Sequence, residues 1–195
     1  FIKAKSGNLY FWYRTGFSGD GDWILNKWSI TTQTWTRVAT VLQGTVENVS
    51  AYPQNVAVDK ITGRWHVLWT IRKDFSSDAE NENIYYAYSD NEGVTWHKTD
   101  GTAYSLPITW ASGEIIVPLA GGSTETIANG GSTSINNSSR PESVWLVGDS
   151  GGIESAGYLS SNSRLVATPT FVNSTSAFIL ASTVTAAASF SGAVT

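Results

Sequence analysis

Helical spacing of apolar residues fails along this whole chain, and its apolar runs are built from β-branched and aromatic residues. Such runs predict strands at residues 9–13, 23–28, 34–38, 55–58, 65–71, 84–88, 95–98, 143–147, 157–160, 164–167 and 177–181. Within 23–28 the period of two places Trp23 and Leu25 on one face with Lys27, and Ile24, Asn26 and Trp28 on the other. Turn signals separate the runs: Ser6-Gly7-Asn8, Gly19-Asp20-Gly21, Thr62-Gly63, Asn91-Glu92-Gly93 and the glycine-rich stretch 148–152. Short strands punctuated this regularly predict an all-β fold.

The strands also repeat. "GNLYFWY" at 7–13 is echoed by "GRWHVLW" at 63–69, an offset of 56 residues. The Thr34-Trp35 step is echoed by Thr95-Trp96, an offset of 61, and a weaker third unit begins near Arg140. Four short strands repeated at this period predict β-propeller blades. At this repeat length 195 residues supply three to four blades, a partial propeller.

Composition refines this picture. Eight of nine tryptophans precede residue 112, which predicts a division into blades at 1–112 and a Ser/Thr/Ala-rich β region at 113–195. The segment 165–195 has no charged residue, and an exposed surface of that kind invites aggregation, so it is expected to be covered. A net charge of −4 argues against a nucleic-acid partner, and no apolar run is long enough for a membrane span. Only 14% of residues are charged, against about 25% in ordinary soluble domains. With Ser, Thr, Asn and Gly in their place, this suits an extracellular, secreted or virion-surface protein. There is no cysteine, no zinc pattern and no phosphate- or dinucleotide-binding glycine loop, so no metal and no cofactor is predicted.

The segment "SDNEGVTW" at 89–96 fits the Asp-box pattern S-x-D-x-G-x-T-W, with Asn91 in the Asp position. Its chemistry is that of a turn. The side chain at 91 bonds backbone, Gly93 supplies an unusual φ, and Trp96 packs beneath.

Together with Tyr13-Arg14-x-Gly16, Ser18-Gly19-x-Gly21-Asp22-Trp23, Leu25-Asn26 and the run from Asp100-Gly101-Thr102 to Leu106-Pro107-Ile108-Thr109, this segment resembles the BNR-repeat propellers that include the ulvan lyases. The likeness covers residues 1 to about 110. It implies a seven-bladed propeller on a longer chain, and cleavage of uronate-containing polysaccharide by β-elimination. It also implies that Arg14 neutralises the uronate carboxylate. The family's proton-handling tyrosine and histidines would fall before Phe1, and neither His66 nor His97 matches them. On this reading the chain is incomplete as an enzyme.

The residues themselves leave two roles open for Arg14: a fork for a ligand carboxylate, or an ion pair with Asp20 or Asp22. Asp20 and Asp22 read as turn residues on the Asp-Gly step, not as metal ligands. The tryptophans read mainly as core, with Trp12 and Trp23 the candidates for stacking on sugar. His66 lies in an apolar strand and reads as core; His97 follows the turn and reads as exposed. Two functions remain in contention. The first is a lyase-like propeller whose partner is an acidic polysaccharide. The second is a homo-oligomeric or larger-assembly component, structural or receptor-binding, such as a phage tail fibre or surface filament.

Overall fold

A computed structural model describes residues 1–18, 20–73, 81–118, 126–149, 152–160, 179–180 and 192–193. Among these residues there is no helix. The first sheet is a meander in chain order: β1 (Ile2–Lys3), β2 (Leu9–Arg14), β3 (Trp23–Ser29) and β4 (Thr34–Leu42). In the second sheet, β5 (Val49–Pro53) and β6 (Ala57–Val58) both pair with β7 (Trp65–Lys73), followed by β8 (Asn81–Ser89) and β9 (Glu114–Val117). The third sheet is β10 (Thr126–Ile135), β11 (Pro141–Asp149) and β12 (Gly152–Ser160), and a short pair joins β13 (Ile179–Leu180) to β14 (Gly192–Ala193). Every pairing between named strands is antiparallel. The architecture is a partial β-propeller whose blades follow one another along the chain.

The second sheet is the middle layer, and the sequence of β7 shows why. "WHVLWTI" is apolar almost throughout, as a strand buried on both faces must be, and its first seven residues are all buried. Trp65, Val67, Trp69 and Ile71 pack with Tyr10, Leu25, Val41 and Leu42 of the first sheet. Leu68, on the opposite face, packs with Ile84, Tyr86 and Trp145, the last from β11 of the third sheet. A carboxamide clamp reinforces that second contact. Asn55 Nδ2 donates to the Thr133 carbonyl at 2.7 Å, and the Thr133 N–H donates to Asn55 Oδ1 at 2.9 Å. Gln54 Oε1 accepts from the Ser143 hydroxyl at 2.7 Å and from that of Thr133. Thus the run at 55–58 gives a strand only at Ala57–Val58, while Asn55 bonds to the neighbouring sheet through its side chain.

The repeat has a backbone counterpart. Gly7 and Gly63 introduce β2 and β7 with φ of 91° and 88°. It fails in one place. Trp35 and Trp96 follow equivalent hairpins, yet Trp96 is fully buried and Trp35 is 40% exposed. The expected strand at 95–98 is also absent: His97 makes only isolated bridges, to Tyr88 and Ala103. Trp96 turns inward under Gly93, to whose carbonyl its indole N–H donates at 3.0 Å, and this pulls the chain off the sheet. β9 pairs with β8 further along, so the second sheet runs to Val117, beyond the compositional break at 112. The expected strand at 164–167 lies outside the described residues, as does nearly all of the uncharged segment 165–195.

Candidate functional site

Arg14 is the last residue of β2 and pairs with Trp23, the first residue of β3. By strand alternation it shares its face with Tyr10 and Trp12, the face turned toward the second sheet. The connection that follows folds back on itself: Thr15 N–H donates to the Asp22 carbonyl at 2.8 Å, and Phe17 and Asp20 form a bridge. Gly21 lies under the Arg14 side chain. A Cβ there would stand 2.9 Å from Arg14 Cδ and 2.8 Å from the Thr15 carbonyl oxygen, so only glycine lets the arginine pass. Its backbone bridges to Ser50 on β5, which brings the end of the first sheet against the start of the second.

The arginine crosses that junction to Tyr52. The guanidinium carbon lies 5.2 Å from the centroid of the phenol ring, within cation–π range. Ser18 Oγ and Tyr52 Oη are 3.1 Å apart. On the adjacent strand, Tyr52 pairs with Thr70 and Ser50 with Arg72, so Tyr52 and Arg72 project from the same face. Burial pushes the Tyr52 phenol up, but hydrogen bonds from Ser18 and Arg14 and the charges of Arg14 and Arg72 outweigh it, leaving the phenol below its ordinary value.

Among the described residues two cations are ion-paired. Arg64 grips Asp90 with Nε at 2.6 Å and Nη2 at 2.9 Å, and stacks over Tyr88. Lys73 pairs with Glu82 at 2.7 Å and lies over Trp110. Among the described residues, Arg14 and Arg72 have no carboxylate partner. Asp22 is committed elsewhere, its Oδ1 accepting from the N–H groups of Gly44 at 2.9 Å and Thr45 at 3.1 Å. Asp20 Oδ1 is buried without a hydrogen-bond partner, and so is Arg72 Nε. Arg14 thus lies against the Tyr52 ring, and Arg72 projects from the same sheet face, opposite Ser50.

Trp12 and Trp23 stack on one another with centroids 5.4 Å apart, and both are partly buried against the core. Trp23 Nε1 donates to the Ala51 carbonyl at 2.8 Å, next to Tyr52 in the chain. His66 is buried, with Nδ1 2.7 Å from Tyr86 Oη, and burial followed by the Arg64 charge pushes it down to about 4. It is therefore neutral at pH 7. His97 is half-buried and stacks on Tyr88. Neither histidine contacts Arg14 or Tyr52. Among the described residues no group of His, Asp and Glu side chains is arranged to hold a metal ion. Sequence reasoning missed Tyr52 and Arg72, because each is separated from Arg14 by a sheet boundary that no local motif encodes. The signal available was the Gly21 spacing beside an arginine.

The sequence matches the family described as "BNR repeat-containing family member" over residues 1–169. Two solved structures of a polysaccharide lyase, the PL25 ulvan lyase, are similar, one of them bound to -[GlcA(1-4)Rha3S]-. Each aligns with a TM-score of 0.63 at 16% identity, covering 83% of this chain and 40% of that chain. The chain thus spans 40% of the length of those lyases, and at this identity the likeness is one of fold. No curated protein matches the chain.

Proposed function

The chain belongs to the BNR repeat-containing family, and from that premise we propose an extracellular, carbohydrate-directed propeller that engages uronate-containing acidic polysaccharide. The observation that carries this reading is Arg14, half-buried at a blade end without a carboxylate partner among the described residues. A guanidinium held there is a ready fork for a ligand carboxylate. Trp23, its cross-strand neighbour, and Trp12, stacked on Trp23, form the apolar wall against which a sugar ring would lie. A fold neighbour bound to a glucuronate-containing fragment supports the same class of ligand.

The reaction that suits such a site is β-elimination. Loss of the proton next to a uronate carboxylate builds negative charge on that carboxylate, and a fixed cation stabilises it without reorganisation. Binding of glucuronate-containing oligosaccharides, followed by calorimetry, tests the reading. Arg14→Ala should weaken binding by about 1.5–3 kcal/mol, the scale of a hydrogen bond to a charged group. Arg14→Lys should recover part of it, because the fork is lost while the charge remains. Unchanged affinity in Arg14→Ala would remove Arg14 from the site.

A further inference from the structure

We propose that Phe17 is the platform on which this site seats the sugar next to the uronate, taking that sugar by an apolar C–H face. The proposal rests on the uronate reading above and adds a second subsite to it. Position 17 falls between the segments Tyr13-Arg14-x-Gly16 and Ser18-Gly19-x-Gly21 and belongs to neither, so no motif marks it.

Phe17 stands on the β2–β3 connection and is 60% exposed, yet its backbone is fixed. Its N–H donates to the Asp20 carbonyl at 2.9 Å, and its carbonyl accepts from the Asp20 N–H at 3.1 Å. The same carbonyl accepts from the hydroxyl of Ser50, a fully buried residue of β5, at 3.2 Å. Gly16, just before it, takes a φ of 77°, and a Cβ there would stand 2.2 Å from the Asp20 carbonyl oxygen, so the turn closes only over glycine. A ring carried on a fixed backbone loses little conformational freedom when a ligand covers it.

These contacts set Phe17 at the junction of Arg14 and Tyr52. Ser18, the next residue, reaches Tyr52 Oη at 3.1 Å, and the Arg14 guanidinium lies 5.2 Å from the centroid of that same phenol. A uronate whose carboxylate sits on Arg14 therefore has its neighbour beside this turn. The other rings of the first sheet offer no such face here. Trp12 and Trp23 cover each other at 5.4 Å and are partly buried against the core, which limits them to the wall beside the uronate itself. Phe1 and Trp35, also exposed, gather 6.1 Å apart around Phe11, on the face of β2 opposite to Arg14. The chemistry of a phenyl ring then defines what it takes. It offers no hydrogen bond, so sugar hydroxyls pressed against it would lose their water unpaired. Its face carries partial negative charge, which attracts C–H hydrogens and disfavours an anionic group.

The experiment uses the full chain with glucuronate-containing oligosaccharides, and reads calorimetric binding beside proton NMR of the bound ligand. Phe17→Ala should weaken binding roughly tenfold, the scale of one aromatic contact together with the apolar area it covers. Phe17→Trp should bind within about threefold of wild type, because it keeps an aromatic face. Phe17→Leu keeps apolar bulk without that face and should recover little. In wild type and in Phe17→Trp, the ring C–H protons of the sugar next to the uronate should shift upfield on binding, since they lie over an aromatic ring. In Phe17→Leu that shift should vanish, which a merely structural role of Phe17 would not produce. Phe17→Ala or Phe17→Leu binding as tightly as wild type overturns the proposal, as does a bound ligand whose neighbouring sugar shows no upfield shift in wild type. Each of these results leaves the uronate reading standing. Absence of wild-type binding overturns both.

Discussion

The second hairpins of the first two blades differ sharply. In the first blade residues 29–35 read "SITTQTW"; in the second, residues 89–96 read "SDNEGVTW". The second is one residue longer and carries a glycine. That glycine takes φ of 82° and sits so close to the first blade that a Cβ would stand 2.4 Å from Leu25 Cδ2. Its N–H donates to Ser89 Oγ at 2.9 Å, Thr95 N–H donates to Asn91 Oδ1 at 2.9 Å, and Trp96 closes the turn from beneath. The first hairpin has no glycine, and Gln33 takes the positive φ. Trp35 therefore stays on the sheet. It lies on an outer aromatic face with Trp28 at 5.3 Å, Phe11 at 6.0 Å and Phe1 at 6.1 Å. One inserted glycine turns a tryptophan from a surface residue into core, although both sit at the same place in the repeat.

The largest expected effect tests that contrast directly. Trp96→Ala removes a fully buried indole packed with Trp12 and Leu25, and should cost about 3–5 kcal/mol. Trp35→Ala removes a 40% exposed ring beside Trp28, Phe11 and Phe1, and should cost about 1 kcal/mol. Chemical denaturation of both variants decides it. Equal losses would mean that the two tryptophans do the same work after all.

Much of this fold was legible because its signals are local. Alternation in "WILNKWS" and the near-continuous apolar run of β7 mark strands by composition alone. The 89–96 turn is readable because each of its bonds spans four residues or fewer. What sequence could not show were the long-range events. Tyr52 meets Arg14 only because Gly21 bridges to Ser50, and nothing near Tyr52 in the chain announces that. The edge strand Glu114–Val117 was unread for a related reason. It is short, and its place beside β8 falls vacant only when Trp96 leaves the sheet.

A second, smaller effect concerns how the turn of the second blade holds the first. Glu92 accepts hydrogen bonds from Asn8 Nδ2 at 2.9 Å and from the Tyr10 hydroxyl, both on the first blade. Burial pushes the Glu92 carboxyl up, but hydrogen bonds from Ser6, Tyr10 and Asn8 outweigh it and hold it below the ordinary glutamate value. A carboxyl depressed on folding stabilises the folded state above its unfolded pKa. That contribution is lost as pH falls through the folded value. Glu92→Gln should therefore cost about 1.5–3 kcal/mol at neutral pH, with a deficit that shrinks on acidification. Stability curves of the two proteins that stay parallel from neutral to acidic pH would show that Glu92 does not couple the blades.

The smallest effect asks whether the asparagine in the Asp position matters. Asn91 Oδ1 accepts from Thr95 N–H at 2.9 Å and from Ser89 Oγ at 3.1 Å, while Nδ2 donates to Thr95 Oγ1 at 2.9 Å. A carboxylate at this position keeps both acceptor contacts and strengthens them through its charge. It loses the donor, but the Thr95 hydroxyl can rotate and donate in return. Against this stand Asp90 and Glu92, like charges on either side in the chain. The opposing terms leave Asn91→Asp within about 0.5 kcal/mol of wild type at neutral pH. Asn91→Ala removes Oδ1 and both hydrogen bonds it accepts, and should cost about 1 kcal/mol. Thermal melts of the two variants separate the possibilities. If Asn91→Asp is the more damaging, the Nδ2 donation holds the turn and charge repulsion governs it. If Asn91→Ala is harmless, the side chain at 91 does not hold the turn. Gly93 and Trp96 alone would then account for the difference between the two hairpins.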